Sequence, residues 1–397
     1  MSADRERRAS RISIHAQIRC LHSDDRDLLA GPGRHCARAR PYAGPDKTPE
    51  GRLLLGRCPR AALSLSGATF GEGPLRIIIT LILVLLACAP VRANDTSAAL
   101  ATGGLVFVHN PEVEMHAEDL FISAAEIKVR YRFFNSAPRD VTTLVAFPMP
   151  EIIIDNPDAN ISIPTDDPEN ILGFSTLADG QSVATRVEQR VLGNGIDRTE
   201  FLRGLGIPLA PHLRTTTEAL DRLPEPARQQ LLQLGLVEVE EYDSGEGMKK
   251  HLEPRWALQT THYWEQTFPA RRDLVIEHRY KPSVGISPWT ESEKAEDITR
   301  YCIERNLLRA MERAQRATQK DSVPFWAQRI EYILKTGANW SGPIGDFRLV
   351  VDKGDPRNLV SFCGDGVKKI GATQFEMRKS NFRPDRNLYV LILEPIR

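Results

Sequence analysis

The sequence predicts a mainly β protein, built as antiparallel β-sandwiches with a small helical insertion and one longer helix. Three observations predict it. Short stretches alternate apolar and polar residues with a period of two. Clusters of Gly, Pro, Asn and Asp separate those stretches at short intervals. The period shifts to three and four residues in only two places, 197–236 and 291–318.

Strand candidates begin at 105–108 and 113–121. "EIKVRYRFFNSAPRDVTTLVAFPMPE" follows, in which Ile127, Val129, Tyr131 and Phe133 alternate with Lys128, Arg130 and Arg132. Val141, Thr143, Val145 and Phe147 repeat the pattern after the turn residues 135–140. The pair reads as an antiparallel hairpin with one apolar face, which a second sheet must cover. Pro148 and Pro150 end it, because proline donates nothing to a ladder. The acidic loop 155–169 holds Asp155, Asp158, Asp166 and Asp167 but lacks the ligand spacing and turn glycine of a calcium loop, so it reads as solvated. Segments 171–177 and 183–191 flank Asp179-Gly180, a hairpin signal. Three short amphipathic helices then fill 197–236, the last ended by Gly235. Strand patterns return at 256–264 and 273–280. Ile298, Tyr301, Cys302, Leu307, Leu308 and Met311 recur at helical steps and predict the longer helix. A last β block covers 328–334, 347–352, 359–362, 375–378 and 388–393.

Residues 76–93, RIIITLILVLLACAPVRA, have the layout of a bacterial export signal. Arg76 precedes an apolar run, Pro90 breaks it, and Val91 and Ala93 supply the small residues that signal peptidase needs. Cleavage is expected between Ala93 and Asn94. The run is well short of the roughly 18–20 apolar residues that span a bilayer. Leu85-Leu86-Ala87-Cys88 has the outline of a lipidation box, but the leucine at its middle position fits poorly, so no lipid anchor at Cys88 is expected. Residues 1–75 are Arg-rich and aperiodic, with Cys20, Cys36 and Cys58 at no metal-ligand spacing. They read as a disordered leader ahead of a true translation start near Leu75. The mature chain then comprises 94–290, a sandwich carrying the helical insertion, and 291–397, a helix followed by a second β block. The second block either packs on the first as one unit or stands apart.

Of the 52 basic and 52 acidic residues, 15 and 8 fall in 1–93, which leaves the mature chain 37 and 44. That mild acidity lacks the basic patch nucleic-acid binding requires. No second apolar run is long enough to span a membrane, so an unidentified protein or envelope partner is expected, in the periplasm or outside the cell. Cys302 and Cys363 alone survive processing and pair in an oxidising compartment. Cys363 as a nucleophile would need a neighbouring base; the nearest upstream histidine is His278, and none follows.

No nucleophile elbow, zinc-protease helix, phosphate loop or dinucleotide loop is present, so no catalytic, cofactor-binding or metal-ligating residue and no cofactor are assigned. His262 and His278 lie in strand candidates that can approach each other. Trp256, His262, Tyr263 and Trp264 are close in sequence and form a candidate binding surface for a sugar ring or a protein, against the alternative that they fill the core.

Five stretches carry a resemblance: "NDTSAALATGGLVF", "VTTLVAFPMPEI", "YILKTGANWSGPIGDFRLVVDKG", "LVSFCGDGVKKI" and "NFRPDRNLYVLIL". On these the chain resembles a secreted bacterial family known only as domain of unknown function 4424, over essentially all of 94–395. The resemblance implies export and a shared architecture, and no activity. More loosely, 126–192 looks like the vault and inter-alpha-trypsin type of β-sandwich module, which acts through protein contacts.

The expected function is an exported, non-enzymatic binding or scaffold protein. One alternative is a carboxylate-dependent hydrolase of cell-wall or exported glycans, which demands a concave cleft with facing carboxylates. The other is a glycan-binding module, which demands that Trp256, Tyr263 or Trp264 be exposed.

Overall fold

The computed structural model describes residues 95–101, 104–154, 160–243, 247–290, 294–317 and 324–396. Across them the chain is mostly β, in four sheets. Strands are numbered along the chain. The first sheet runs β11 (Ile196–Asp197), β10 (Arg186–Gly193), β14 (Ala257–Phe268), β5 (Val141–Pro148), β1 (Thr96–Ala101) and β2 (Gly104–Val108). β6 (Ile152–Ile153) also pairs with β14. The second runs β20 (Lys368–Lys369), β21 (Gln374–Phe382), β18 (Ile344–Asp352), β3 (Val113–Ile122), β4 (Ile127–Asn135), β15 (Asp273–Tyr280), β8 (Ser175–Ala178) and β9 (Gln181–Val183). The third runs β19 (Leu359–Phe362), β22 (Leu388–Pro395), β17 (Phe325–Tyr332), β16 (Val284–Pro288) and β7 (Asn160–Ser162). β12 (Val237–Asp243) and β13 (Met248–Pro254) form the fourth alone.

Alternation decides which face of each strand is buried. In β4, Ile127, Val129, Tyr131, Phe133 and Asn135 are buried while Lys128, Arg130 and Arg132 face solvent. In β15, Leu274, Ile276, His278 and Tyr280 are buried in the same way. These faces meet Val145 and Phe147 of β5 and Trp264 of β14 in one apolar core, which extends to Tyr332 and Val390 of the third sheet. A second cluster lies on the other side of that sheet, where Tyr301, Ile303 and Met311 cover Phe325, Ala327 and Leu393.

The expected hairpin between residues 127 and 147 is corrected. β4 and β5 do not pair; β4 joins β3 and β15 in one sheet, while β5 joins β14 and β1 in another. Asn135 shapes the crossing. Its Nδ2 donates to the carbonyls of Arg139 and Phe268, both at 2.8 Å, and its Oδ1 accepts from the Ala137 N–H. These bonds satisfy the turn's polar groups inside the core, so the chain arches between sheets. The hairpin at Asp179-Gly180 does form, as β8 and β9, with φ of 44° and 78° at its two central residues. That is the left-handed geometry tight hairpins require and glycine adopts at no steric cost.

The insertion holds three helices, α1 (Thr199–Gly204), α2 (Arg214–Asp221) and α3 (Glu225–Gln233). The longer helix is corrected to two, α4 (Lys294–Arg300) and α5 (Arg305–Ala317). Between them Cys302 takes φ 51°, and its sulfur is bonded to Cys363 just beyond β19. A left-handed residue ends a helix, and the apolar steps continue past it because Tyr301, Ile303 and Met311 share one core face.

The stretches 94–290 and 291–397 interlock. β18 pairs with β3 in the one parallel pairing among the described strands of the second sheet, and β17 pairs with β16. A bulge at His116 lets β3 bend under β18, and Gly345 is required there: a Cβ on it would stand 2.6 Å from the His116 carbonyl oxygen. Among the described residues no helix is long and apolar enough to cross a membrane.

Candidate functional site

Two features gather the chemistry of this protein, a sealed polar node and an open cleft. The node begins at Asp95, immediately before β1. Both oxygens of its buried carboxylate lie 3.0 Å from Nε2 of His278. Its other ring nitrogen, Nδ1, lies 3.0 Å from the Thr176 hydroxyl, so the imidazole bridges the acid and the hydroxyl. The Asp95 carbonyl accepts from the Trp340 indole N–H at 2.6 Å, and Asn339 donates to the Thr96 hydroxyl at 2.8 Å. Beside His278 stands Tyr131, whose hydroxyl meets that of Tyr332 at 3.0 Å, and Tyr332 in turn reaches toward the buried Glu118. Burial pushes the Asp95 carboxyl up, against the opposing pull of His278. Burial likewise holds both tyrosines protonated far above their ordinary range.

Acid, imidazole and hydroxyl stand in the order of a hydrolytic triad. Their setting is that of a core. Asp95, Thr176 and His278 are each no more than 2% exposed. Phe147, Phe174 and Trp264 pack around the His278 ring. No substrate reaches the Thr176 oxygen, so the node's chemistry is to hold β1, β8, β15 and the Trp340 segment together.

The cleft is the accessible feature. It has a volume of about 660 Å³ and lies where β2, β10 and the bend between β5 and β6 face β17 and β22. Leu105, Val106, Met149, Ile153 and Ile333 supply its apolar surface, with Val106 and Ile153 49% and 39% exposed. Three glutamates edge it. Glu188 accepts from the Leu105 N–H at 2.8 Å and from Arg190 Nε at 2.7 Å. Glu151 accepts from Gln259, and Glu331 from Asn387. Tyr389 lines the same wall, and its hydroxyl stays protonated above the ordinary range through burial and the nearby Glu331.

Comparison with known proteins adds the family. The model described as Domain of unknown function (DUF4424) matches residues 93–391. The chain belongs to that family. A comparison with curated proteins finds no match. Among solved structures, a proposed nutrient-binding protein from Legionella pneumophila shares 15% identity, with 76% of this chain and 70% of that one covered at a TM-score of 0.37. The looser likeness of 126–192 to the vault and inter-alpha-trypsin module is not borne out: the family that matches across this stretch is DUF4424.

The structure places the predicted site residues as follows. Cys302 and Cys363 are bonded, with Cα atoms 5.0 Å apart. Cys88, Ala93, Asn94, Asp155 and Asp158 lie outside the described residues. Asp167 caps its own loop, accepting from the N–H groups of Glu169 and Asn170. The candidate aromatic surface is corrected. Trp256, His262 and Trp264 are each no more than 2% exposed, and the Trp256 indole donates to the Leu209 carbonyl. His262 and Trp264 project from the inward face of β14, Trp256 continues the same two-residue period just before the strand, and only Tyr263 reaches the outside, where the Arg186 guanidinium covers it. His262 and His278 do meet on one ring: they pack on Phe174 at 4.4 and 5.0 Å. The sequence reading missed Asp95, whose polar type and place close after the apolar run 77–87 hide a core residue, and the cleft, whose walls come from seven separated strands.

His262 gives a pH dependence. Burial, then the neighbouring His278, push it down to about 4. In the unfolded chain a histidine titrates near 6.5. Between those values the unfolded state binds the extra proton, so stability falls as pH drops from about 6.5 to about 4. The loss amounts to about 3 kcal/mol at roughly 1.4 kcal/mol per pH unit. Urea titrations at pH 7 and pH 4 are expected to show this loss in the wild type and a correspondingly shallower slope in His262→Gln. An identical slope in both proteins would contradict it.

Proposed function

We propose that the protein is exported, is cleaved after Ala93, and works in the periplasm or outside the cell as a binding or scaffold protein that seats its partner in the cleft. The cleft carries this reading. A concavity of about 660 Å³ with an apolar floor and a few convergent polar groups is the ordinary form of a binding site. Its carboxylates outnumber its one guanidinium, Arg190, so it favours a partner that brings an apolar side chain and a basic or hydroxyl-bearing group. The partner is unidentified protein or envelope material, and the bonded cysteines fit an oxidising compartment.

Cross-linking in native envelopes tests it. Wild-type protein should capture a specific partner, and Val106→Lys with Ile153→Lys should lose that partner while melting at the same temperature. Capture of the same partner by the double variant, or of none by the wild type, would contradict the reading.

The hydrolase reading keeps one observation in its favour, the three glutamates in the same cleft. Each is already engaged by a donor from its own chain. Release of reducing sugar from cell-wall glycan by the wild type, abolished in Glu188→Gln, would establish it instead.

A further inference from the structure

The β12–β13 hairpin stands outside the three large sheets. Its register sets Glu240 opposite His251 and Glu238 opposite Glu253. Side chains alternate along a strand, so these four share one face. The other face carries Val237 and Leu252, which are buried in the core.

On the shared face three donors converge. His251 Nε2 lies 2.7 Å from Glu253 Oε1 and 3.3 Å from Glu240 Oε2, and all three atoms fall within 4.8 Å of one another. Arg255 engages the fourth residue, Glu238, at 2.8 Å. Three carboxylates thus share the face with one guanidinium. Glu238 and Glu253 stand directly across the ladder, an arrangement of like charges that costs stability. A divalent cation bound to Glu240, His251 and Glu253 would offset that charge.

The distances suit a metal. Zinc binds histidine nitrogen and carboxylate oxygen at about 2.0–2.2 Å in a tetrahedron, which sets donor atoms roughly 3.4 Å apart. Small side-chain rotations bring the three donors to that spacing. The side chains of His251, Glu253 and Glu240 are 18%, 25% and 48% exposed, so an ion has a way in. His116 provides the contrast. It also touches two carboxylates, but through opposite ring nitrogens, Nε2 to Glu114 at 3.1 Å and Nδ1 to Asp273 at 3.6 Å. No single ion bridges both sides of one imidazole.

We propose that Glu240, His251 and Glu253 form a divalent transition-metal site that clips β12 to β13 and leaves a fourth coordination position open. One imidazole with two carboxylates favours zinc over calcium or magnesium, which take all-oxygen shells. A two-stranded hairpin is marginal by itself in water, so a cross-strand clip has something to stabilise. The site lies on different strands from the cleft and does not depend on the cleft's role.

Calorimetric titration of Zn²⁺ into chelator-treated, disulfide-bonded protein tests it. One Zn²⁺ per chain is expected, with affinity unchanged in His116→Ala and at least tenfold weaker in His251→Ala. Glu240→Gln, at a half-exposed position that leaves the core untouched, should weaken binding about as much and carries the test if His251→Ala does not fold. Zn²⁺ should also slow proteolysis within the hairpin of the wild type alone. No stoichiometric binding, or equal affinity in Glu240→Gln and the wild type, would overturn the site.

Discussion

Replacing Asp95 with alanine should lower the stability of the folded protein by about 1–3 kcal/mol, the usual loss when a buried hydrogen-bonding group is left without its partner. The reason is local. The Asp95 carboxylate is buried against His278 and provides the hydrogen-bond partner of Nε2. Without it, His278 keeps the bond to Thr176 on one side of the ring and has an orphaned nitrogen on the other. Asp95→Asn retains an acceptor oxygen and should cost much less. Urea unfolding of the two variants checks this, and a loss under about 1 kcal/mol in Asp95→Ala would show that the node is not a structural lock. With cleavage after Ala93, Asp95 is the second residue of the mature chain. The start of the mature protein then lies in its core, and extensions placed directly before it should disturb folding.

Reduction of the Cys302–Cys363 bond should cost about 4 kcal/mol. The two cysteines are 61 residues apart, and the chain-entropy model gives roughly this value for such a loop. The bond joins the break between α4 and α5 to the end of β19, where Ser361 also donates to the Tyr301 carbonyl. Reduction should therefore loosen the helical cluster first and leave the core around Asp95 intact. Hydrogen exchange on oxidised and reduced protein checks this: faster exchange is expected in residues 294–317 and little change in β4 and β15. Equal stability of the two forms would mean that the helices hold their place without the bond.

How far the sequence revealed this molecule depends on whether each pattern was local. The alternation of β4 and β15 and the turn at Asp179-Gly180 are set by neighbours in the chain, and their positions follow the sequence closely. Pairing is not local. Nothing near Asn135 shows that its side chain will bond to the Phe268 carbonyl and send the chain to another sheet. β12 and β13 escaped notice because Glu, Asp, Lys and His occupy most positions of a hairpin that buries little more than Val237 and Leu252. The helical steps of 291–318 persist across a left-handed Cys302, since one apolar face serves both helices. Trp256 and Trp264 carried both a surface and a core reading, and the partner sheet showed that the face they share is covered. The cleft had no local signature, because Val106, Met149, Glu188 and Tyr389 meet only in the folded chain.

The proposed export would account for the compartment, the bonded cysteines and the buried start of β1 together. The non-reduced intact mass of untagged protein, recovered from the periplasm of its native host, tests it most directly. The expected mass is that of residues 94–397 less two hydrogens, which means cleavage after Ala93 and one disulfide. A mass that includes residues 1–75, with free thiols, would contradict it: the apolar run from Ile77 would then be no signal, and the chain would function in a reducing compartment.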